Sequence, residues 1–208
     1  MRIDALVNNA GYGSYGAIEE VPLQEGRRQF DVNVFGLARM VQLVLPAMRE
    51  ARRGRIVNIA SIGGKIHEPL GGWYHATKFA VEGFSDCLRM ELAPFGIDVV
   101  VVEPGAIRTE WNAIARAGLR QHSGRGPYAA QAARQVALMA AADASVLSSS
   151  PRVVARGVLR ALTAHRPRTR YAVGGGARSI LLLRRFLPDR TFDALMRAVA
   201  RGARMPAL

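Results

Sequence analysis

Tyr74 and Lys78 are the two residues of this chain whose types and spacing point most directly to chemistry. They stand four positions apart in a stretch with helical periodicity, so both side chains lie on one face of the predicted helix. Because a cation beside a phenol favours the phenolate, we expect Lys78 to lower the pKa of Tyr74 from its ordinary value of about 10. Such a tyrosine can exchange a proton near neutral pH. The alternative is that the two residues merely share a solvated helix face.

Other polar and turn-forming residues accompany this pair in a fixed order along the chain. They are the turn Asn8-Asn9-Ala10-Gly11, the helix-borne Asn33, the strand-end Ser61, and the segment Pro104-Gly105-Ala106-Ile107-Arg108-Thr109. Taken singly, Ser61 is also explained as an ordinary loop serine, and Asn33 as a solvent-facing asparagine in a helix.

Together with Tyr74 and Lys78, these segments resemble the signature of the short-chain dehydrogenase/reductase family. The resemblance covers residues 1 to about 115 and only loosely the remainder. It implies an α/β fold with a Rossmann-like, doubly wound parallel sheet. It further implies an oxidoreductase that uses NAD or NADP to transfer a hydride between the nicotinamide ring and an alcohol or ketone.

The resemblance also implies a role for each residue of the signature. Tyr74 would exchange a proton with the substrate oxygen, and Ser61 would donate a hydrogen bond to that oxygen. Lys78 would hold the nicotinamide ribose, and Asn33 would anchor a water that returns protons to Lys78. The residues implied in cofactor binding, besides Tyr74 and Lys78, are Asn9, Ala10 and Gly11 on the adenosine side and Pro104, Gly105, Ile107 and Thr109 over the nicotinamide.

Three further residues near this predicted site are candidates to line a substrate pocket: His67, Trp73 and His75. Each is equally well explained as a packing or surface residue. Cysteine and histidine show no metal-ligand spacing, so we predict that the protein binds no metal.

The hydrophobic pattern predicts how the signature residues are positioned. Apolar runs at Ile3 to Val7, at residues 56–59 and at Ile97 to Val102 predict strands, and helical spacing predicts long helices between them. The nearly all β-branched last run is typical of a parallel strand covered on both faces. Strands alternating with helices indicate a parallel sheet with right-handed crossovers.

The pattern loosens beyond residue 115. We predict a mobile loop at 119–128, helices at about 131–146 and 152–164, a strand at 170–173 and two short amphipathic helices after it. Within a single domain of residues 1–208, the region of about 115–208 is predicted to cover the substrate and to form the C-terminal helices.

Gly11, Gly13 and Gly16 match the spacing of a dinucleotide-binding fingerprint directly after a strand. Such a fingerprint opens a helix at once, whereas the helix predicted here waits for Pro22. We therefore interpret these glycines as a turn at the sheet edge. A glycine-rich loop preceding the first predicted strand, which is expected of the family, is not found in this sequence, and neither are the first strand-helix units. We expect an N-terminally truncated domain that lacks roughly 60 residues, including those that choose between NAD and NADP.

Composition limits the remaining possibilities. The 208 residues are 50% hydrophobic, with no uninterrupted apolar run long enough to span a membrane and no signal peptide, which favours a cytoplasmic protein. The single cysteine, Cys87, is expected to be a small buried hydrophobe. The net charge of +13 is concentrated in residues 151–208, which contain 13 arginines but only two acidic residues, Asp189 and Asp193. Since 27 of the 29 basic residues are arginine, we interpret this as compositional bias and predict no nucleic-acid partner.

The substrate implied by the resemblance is apolar, of the steroid, retinol or fatty-acyl kind, and the implied assembly is a homo-oligomer, a dimer or a tetramer. One alternative is an inactive remnant that only pairs with a relative through its two long helices. Another is weak contact of the basic C-terminal region with a membrane surface, suggested by Leu181-Leu182-Leu183-Arg184-Arg185-Phe186.

Overall fold

A parallel four-stranded sheet forms the centre of the computed structural model, which describes residues 3–146 and 148–202. The strands follow the order β1-β2-β3-β4 and are β1 Ala5–Asn8, β2 Gly54–Ile59, β3 Ile97–Pro104 and β4 Arg170–Val173. In the register, Val7 pairs with Val57, and Val57 pairs with Val100. Because β2 and β3 have a neighbouring strand on each side and helices on both faces, most of their branched side chains are almost completely buried.

Helices cover both faces of this sheet, which confirms the predicted Rossmann-like, doubly wound fold. They are α1 Leu23–Phe30, α2 Leu37–Glu50, α3 Gly72–Leu92, α4 Trp111–Ser123, α5 Ala129–Ala144, α6 Arg152–Thr163, α7 Ala177–Phe186 and α8 Asp189–Gly202. On one face, Val41 of α2 and Val81 of α3 pack against Val101; on the other, Ala161 of α6 packs against Val102.

The helices α1 and α2 run as one continuous rod because a π-helical segment, Asp31–Gly36, joins them. By length and composition this rod, Leu23–Glu50, passes the threshold for a membrane span, with a mean hydropathy of 1.2 over its most apolar stretch. The rod nevertheless contributes one side to the core of the domain, where Val41, Val44 and Met48 are buried. One side of the rod therefore packs on the sheet, while the apolar residues Phe35, Met40 and Leu43 are exposed on its surface.

Two local predictions are wrong. Residues 119–123, predicted as part of a mobile loop, complete α4, because Leu119 is fully buried and the Ser123 hydroxyl accepts a hydrogen bond of 2.8 Å from the Ala17 amide. Cys87, predicted as a buried hydrophobe, is exposed, because α3 turns its neighbours Ser85 and Leu88 toward the sheet instead.

Candidate active site

Tyr74 lies in the first turn of α3 and is only 8% exposed. Its ring packs against the rings of Trp111, at a centroid distance of 4.8 Å, and Tyr15, at 5.8 Å. Burial raises the pKa of Tyr74 to about 12, since the phenolate loses its hydration; the Ser61 hydroxyl opposes this shift and the Glu68 carboxylate adds to it. Tyr74 is therefore a neutral phenol at physiological pH in the chain by itself.

Lys78 lies one helical turn beyond Tyr74, and its ammonium group donates a 2.9 Å hydrogen bond to the carbonyl oxygen of Ile59. Burial lowers the pKa of Lys78 to about 8, and the negative charge of Glu82 opposes that shift. The sequence-based expectation that Lys78 lowers the pKa of Tyr74 is not met in the chain alone. Burial of the phenol raises the pKa of Tyr74, and burial also destabilises the charge of Lys78.

Ser61 follows the end of β2 and begins a short 3₁₀ turn, Ile62–Gly64. Its hydroxyl accepts a hydrogen bond of 3.0 Å from the Gly63 amide and donates one of 3.4 Å to the carbonyl oxygen of Pro104. These contacts hold Ser61 between the carboxyl ends of β2 and β3, where open α/β sheets bind their ligands. The hydroxyl also lies close enough to Tyr74 to affect its pKa.

Asn33 lies in the π-helical segment and is buried, so the interpretation as a solvent-facing asparagine is wrong. Its side-chain oxygen accepts a hydrogen bond from the Tyr12 amide, and its nitrogen donates to the Tyr12 carbonyl and to the Thr77 hydroxyl, all at 2.9 to 3.0 Å. Thr77 in turn donates to the carbonyl oxygen of Tyr74. Asn33 thus ties the turn after β1 to the part of α3 that carries Tyr74 and Lys78.

The segment Asn9–Gly11 is exposed at the carboxyl end of β1. A Cβ atom on Gly11 would lie 3.1 Å from the side-chain oxygen of Asn33 and 3.8 Å from the ammonium nitrogen of Lys78. The missing side chain therefore leaves the approach to Lys78 open, as a dinucleotide lying along this edge requires. On this test, the residues present fit the nicotinamide half of such a cofactor.

The segment from Pro104 to Thr109 follows the end of β3, and backbone hydrogen bonds hold it beside β4 and residue 149. The Gly105 amide donates to the carbonyl oxygen of Val173, and Ile107 forms a bridge with Ser149. Thr109 accepts a hydrogen bond from the Trp111 amide and so leads into α4. The segment thus connects the sheet edge to the helix that covers Tyr74.

Of the three glycines Gly11, Gly13 and Gly16, the last two are required for close packing. A Cβ atom on Gly13 would collide with the Trp111 ring, and one on Gly16 would lie 2.6 Å from Val21. Both glycines are buried, and their interpretation as a turn at the sheet edge stays a prediction.

Sequence reasoning missed the aromatic and polar residues that surround Tyr74. Trp111 covers its ring, and the Tyr15 hydroxyl donates a 2.8 Å hydrogen bond to Glu68. Although burial opposes it, contacts with His75 and Tyr15 hold the pKa of Glu68 below its ordinary value. The sequence signals for these neighbours of Tyr74 were Tyr15, four positions after Gly11, and Trp111, two positions after Thr109.

The three candidate pocket residues have different surroundings. His75 is buried beneath the Tyr74 ring, and its Nδ1 lies 2.9 Å from the Gly63 carbonyl oxygen. His67 instead pairs with Asp193 of α8, and Trp73 packs edge-on against Phe30 of α1. Only His75 therefore contacts Tyr74.

A family model described as short chain dehydrogenase matches residues 1–120. The chain belongs to the short-chain dehydrogenase/reductase family. It is an oxidoreductase of this type, which confirms the resemblance drawn from the signature residues.

Curated relatives match different shares of the chain. A probable short-chain type dehydrogenase/reductase, VdlC of Helicobacter pylori, is 32% identical over 98% of this chain and 74% of its own length. The 3-ketodihydrosphingosine reductase of Bacteroides thetaiotaomicron is 50% identical over 52% of this chain and 40% of its own. The NADPH-dependent 3-dehydrocapnine reductase of Ornithobacterium rhinotracheale is 34% identical over 93% and 69%.

Solved structures share the fold. A short-chain dehydrogenase of Streptomyces avermitilis is 35% identical with a TM-score of 0.72, covering 98% of this chain and 71% of that one. ElxO with NADP bound is 26% identical with a TM-score of 0.65 (86% and 68%). A 3-oxoacyl-[acyl-carrier protein] reductase of Brucella melitensis with bound NAD is 29% identical with a TM-score of 0.60 (82% and 60%). The two bound cofactors agree with the predicted NAD or NADP.

Proposed function

We propose that the protein reduces a ketone on an apolar chain to the alcohol, with NAD or NADP as cofactor and Tyr74 as the acid. The observation that carries this proposal is the burial of the Tyr74 phenol between Ser61 and an apolar cluster, with Lys78 one turn away. The nicotinamide ring, when bound, supplies the hydride in reduction and accepts it in the reverse reaction.

The chain's own residues would act on the substrate oxygen. Ser61 is positioned to donate a hydrogen bond to that oxygen, and Tyr74 delivers the proton as negative charge develops there. Because the pKa of Tyr74 is about 12 in the chain alone, the proton needed for reduction is present at neutral pH. Lys78, with a pKa of about 8, stabilises the phenolate that remains and supplies the next proton.

The cofactor would lie along the carboxyl ends of β1 to β3. Asn9, Ala10 and Gly11 would border its adenosine side, and the segment from Pro104 to Thr109 would cover the nicotinamide. Asn33 would hold the turn in place and anchor a water between Lys78 and solvent. Since Gly11 leaves space beside Lys78, the ribose hydroxyls can approach the ammonium group there.

An apolar substrate is supported by the surroundings of Tyr74. The cluster that packs against its ring is aliphatic and aromatic, and its half-buried members Trp111, Tyr128 and Val136 leave part of that apolar surface accessible. Such a wall favours hydrocarbon over polar groups, with the hydroxyls of Tyr74 and Ser61 as the polar anchors. Two relatives are named as reductases of 3-ketodihydrosphingosine and 3-dehydrocapnine. We propose a substrate of that kind.

Oxidation of NADH and NADPH with a series of 3-keto compounds of increasing chain length tests the proposal. Tyr74→Phe removes only the hydroxyl and is expected to lower kcat by about 10²-fold to 10⁴-fold, the usual contribution of a general acid. Tyr171→Phe, on β4, is the matched control and is expected to leave the rate unchanged. Full activity of Tyr74→Phe would refute the assignment of the proton donor.

We further propose that two copies associate through α2, α3 and the π-helical segment. Large apolar side chains are exposed there, including Phe35 at 61%, Leu43 at 56% and Met90 at 74%. Light scattering on a sizing column is expected to show a dimer or tetramer for the wild type and a monomer for Leu43→Glu. An unchanged mass of the variant would contradict this interface.

Other expectations from the sequence stay predictions. These are the cytoplasmic location, the absence of a metal and membrane contact by the basic C-terminal region. The extent of the single domain, 1–208, also stays a prediction, because its two ends lie outside the described residues. For the membrane contact, Leu182 and Phe186 of α7 are exposed beside Arg185.

A further inference from the structure

A groove of about 670 Å³ lies at the β4 edge of the sheet, between α6, β4 and the beginning of α7. Its lining includes five arginines from three separate parts of the chain, which are Arg156, Arg160, Arg168, Arg170 and Arg178. The groove shares no lining residue with the site around Tyr74 as described above. Its volume is in the range of a small-molecule pocket.

Four of these arginines are not neutralised by the described part of the chain. Arg170 pairs with Glu82 and Asp86, at 2.9 and 2.7 Å. Within residues 3–146 and 148–202, the guanidinium groups of the other four form no hydrogen bond or ion pair. Glu103 is the only carboxylate of the lining, and it faces Arg170. The groove therefore concentrates positive charge that attracts an anion.

The backbone at one end of the groove adds neutral donors. Gly174, Gly175 and Gly176 form a turn with positive φ at Gly174 (+82°) and Gly176 (+67°), and this turn leads into α7. Gly176 caps α7 without a side chain, and the space where its Cβ atom would lie is empty to 4 Å among the described residues. The Ala177 amide donates to the Gly174 carbonyl oxygen within this turn, while Arg178 and Ser179, whose amides belong to the first turn of α7, line the same groove as the other arginines.

We propose that this groove binds the phosphate group of a ligand. Phosphate accepts several charge-assisted hydrogen bonds at once, and the guanidinium group offers donors in a matching planar geometry. Arg156 and Arg160, one turn apart on α6, approach the groove from one wall, while Arg178 approaches from the beginning of α7. A second copy of the chain is not the occupant, since a symmetric interface would place the same uncompensated arginines against one another.

The phosphate can belong to a soluble molecule or to a lipid headgroup. Calorimetric titration of the full chain with inorganic pyrophosphate, at low ionic strength, tests the soluble source. Sedimentation with vesicles of phosphatidylcholine containing phosphatidic acid, compared with phosphatidylcholine alone, tests the lipid source. We expect saturable binding in at least one arm, weakened by added salt because exposed cations contribute.

The variant Arg156→Gln with Arg160→Gln is expected to weaken that binding about tenfold or more. Arg120→Gln with Arg125→Gln removes the same charge from exposed positions on and after α4, and is expected to change the affinity less than about twofold. Arg178→Gln, on a different element, is a second test should the double variant fold poorly. The proposal is overturned if neither pyrophosphate nor vesicles bind, or if the control pair weakens binding as much as the groove pair does.

Discussion

Replacement of Glu103 by glutamine is expected to stabilise the protein increasingly as pH rises from about 4.5 to about 7, and fully above that. Glu103 lies near the end of β3 and is 3% exposed. Burial and the neighbouring negative charge of Glu82 raise its pKa to about 7, against the opposing effects of Arg170, 3.6 Å away, and Lys65. The folded protein thus retains a proton on this carboxyl where an unfolded chain has lost it.

The pH range and the magnitude follow from this difference. Below about pH 4.5 both states hold the proton, and above about pH 7 neither does, so this carboxyl destabilises the fold progressively as pH rises through that interval. A pKa difference of about 2.5 corresponds to roughly 3 kcal/mol. Since the side chain borders a solvent-filled groove, screening reduces the expected cost to about 1 to 3 kcal/mol. Glutamine resembles the protonated carboxyl and avoids this cost.

Urea unfolding of the wild type and of Glu103→Gln at pH 5 and pH 8 measures the effect. The gain in the free energy of unfolding is expected to be about 1 to 2.5 kcal/mol larger at pH 8 than at pH 5. Asp86→Asn is the matched control. Although burial raises the pKa of Asp86, hydrogen bonds from Arg170 and Arg89 lower it below its ordinary value. The ionised carboxylate therefore stabilises the fold, and this variant is expected to lose stability at pH 8. An equal effect of Glu103→Gln at both pH values would refute the reasoning.

Three further changes have expected outcomes. Asn33→Ala removes three hydrogen bonds of a buried side chain and is expected to lower the free energy of unfolding in urea by about 2 to 4 kcal/mol and to reduce turnover. Trp111→Ala opens the half-buried wall over Tyr74, and is expected to cost about 1 to 3 kcal/mol in the same assay and to raise KM for apolar ketones. The rate of ketone reduction is expected to fall as pH rises through about 8, where Lys78 loses its proton, and Lys78→Gln is expected to remove that fall from the measured pH profile.

Those parts of the fold that depend on local patterns were predictable from the sequence. The run Ile97 to Val102 predicts a doubly covered parallel strand because nearly all of its residues are β-branched, and it forms most of β3. The four-residue spacing of Tyr74 and Lys78 fixes their shared helix face through helical geometry alone.

What was missed depends on contacts between distant parts of the chain. Trp111 meets Tyr74 only because α4 folds back over the carboxyl ends of the strands, 37 positions along the sequence from that tyrosine. Residues 119–123 lie between Gly118 and Gly124, a setting that suits a loop, and they are helical because Leu119 is buried in the same cluster. Neither contact follows from local periodicity.

The pKa of Tyr74 differs from the expectation based on the sequence. A lysine at four-residue spacing predicts a lowered pKa for the tyrosine, yet packing removes water from both groups, so burial raises the pKa of Tyr74 and lowers that of Lys78. A neutral phenol readily gives its proton to the stronger base that a reduced carbonyl oxygen becomes. Oxidation requires the phenolate first, and burial makes that form costly. If Tyr74 is the proton donor proposed above, alcohol oxidation is therefore expected to increase with pH.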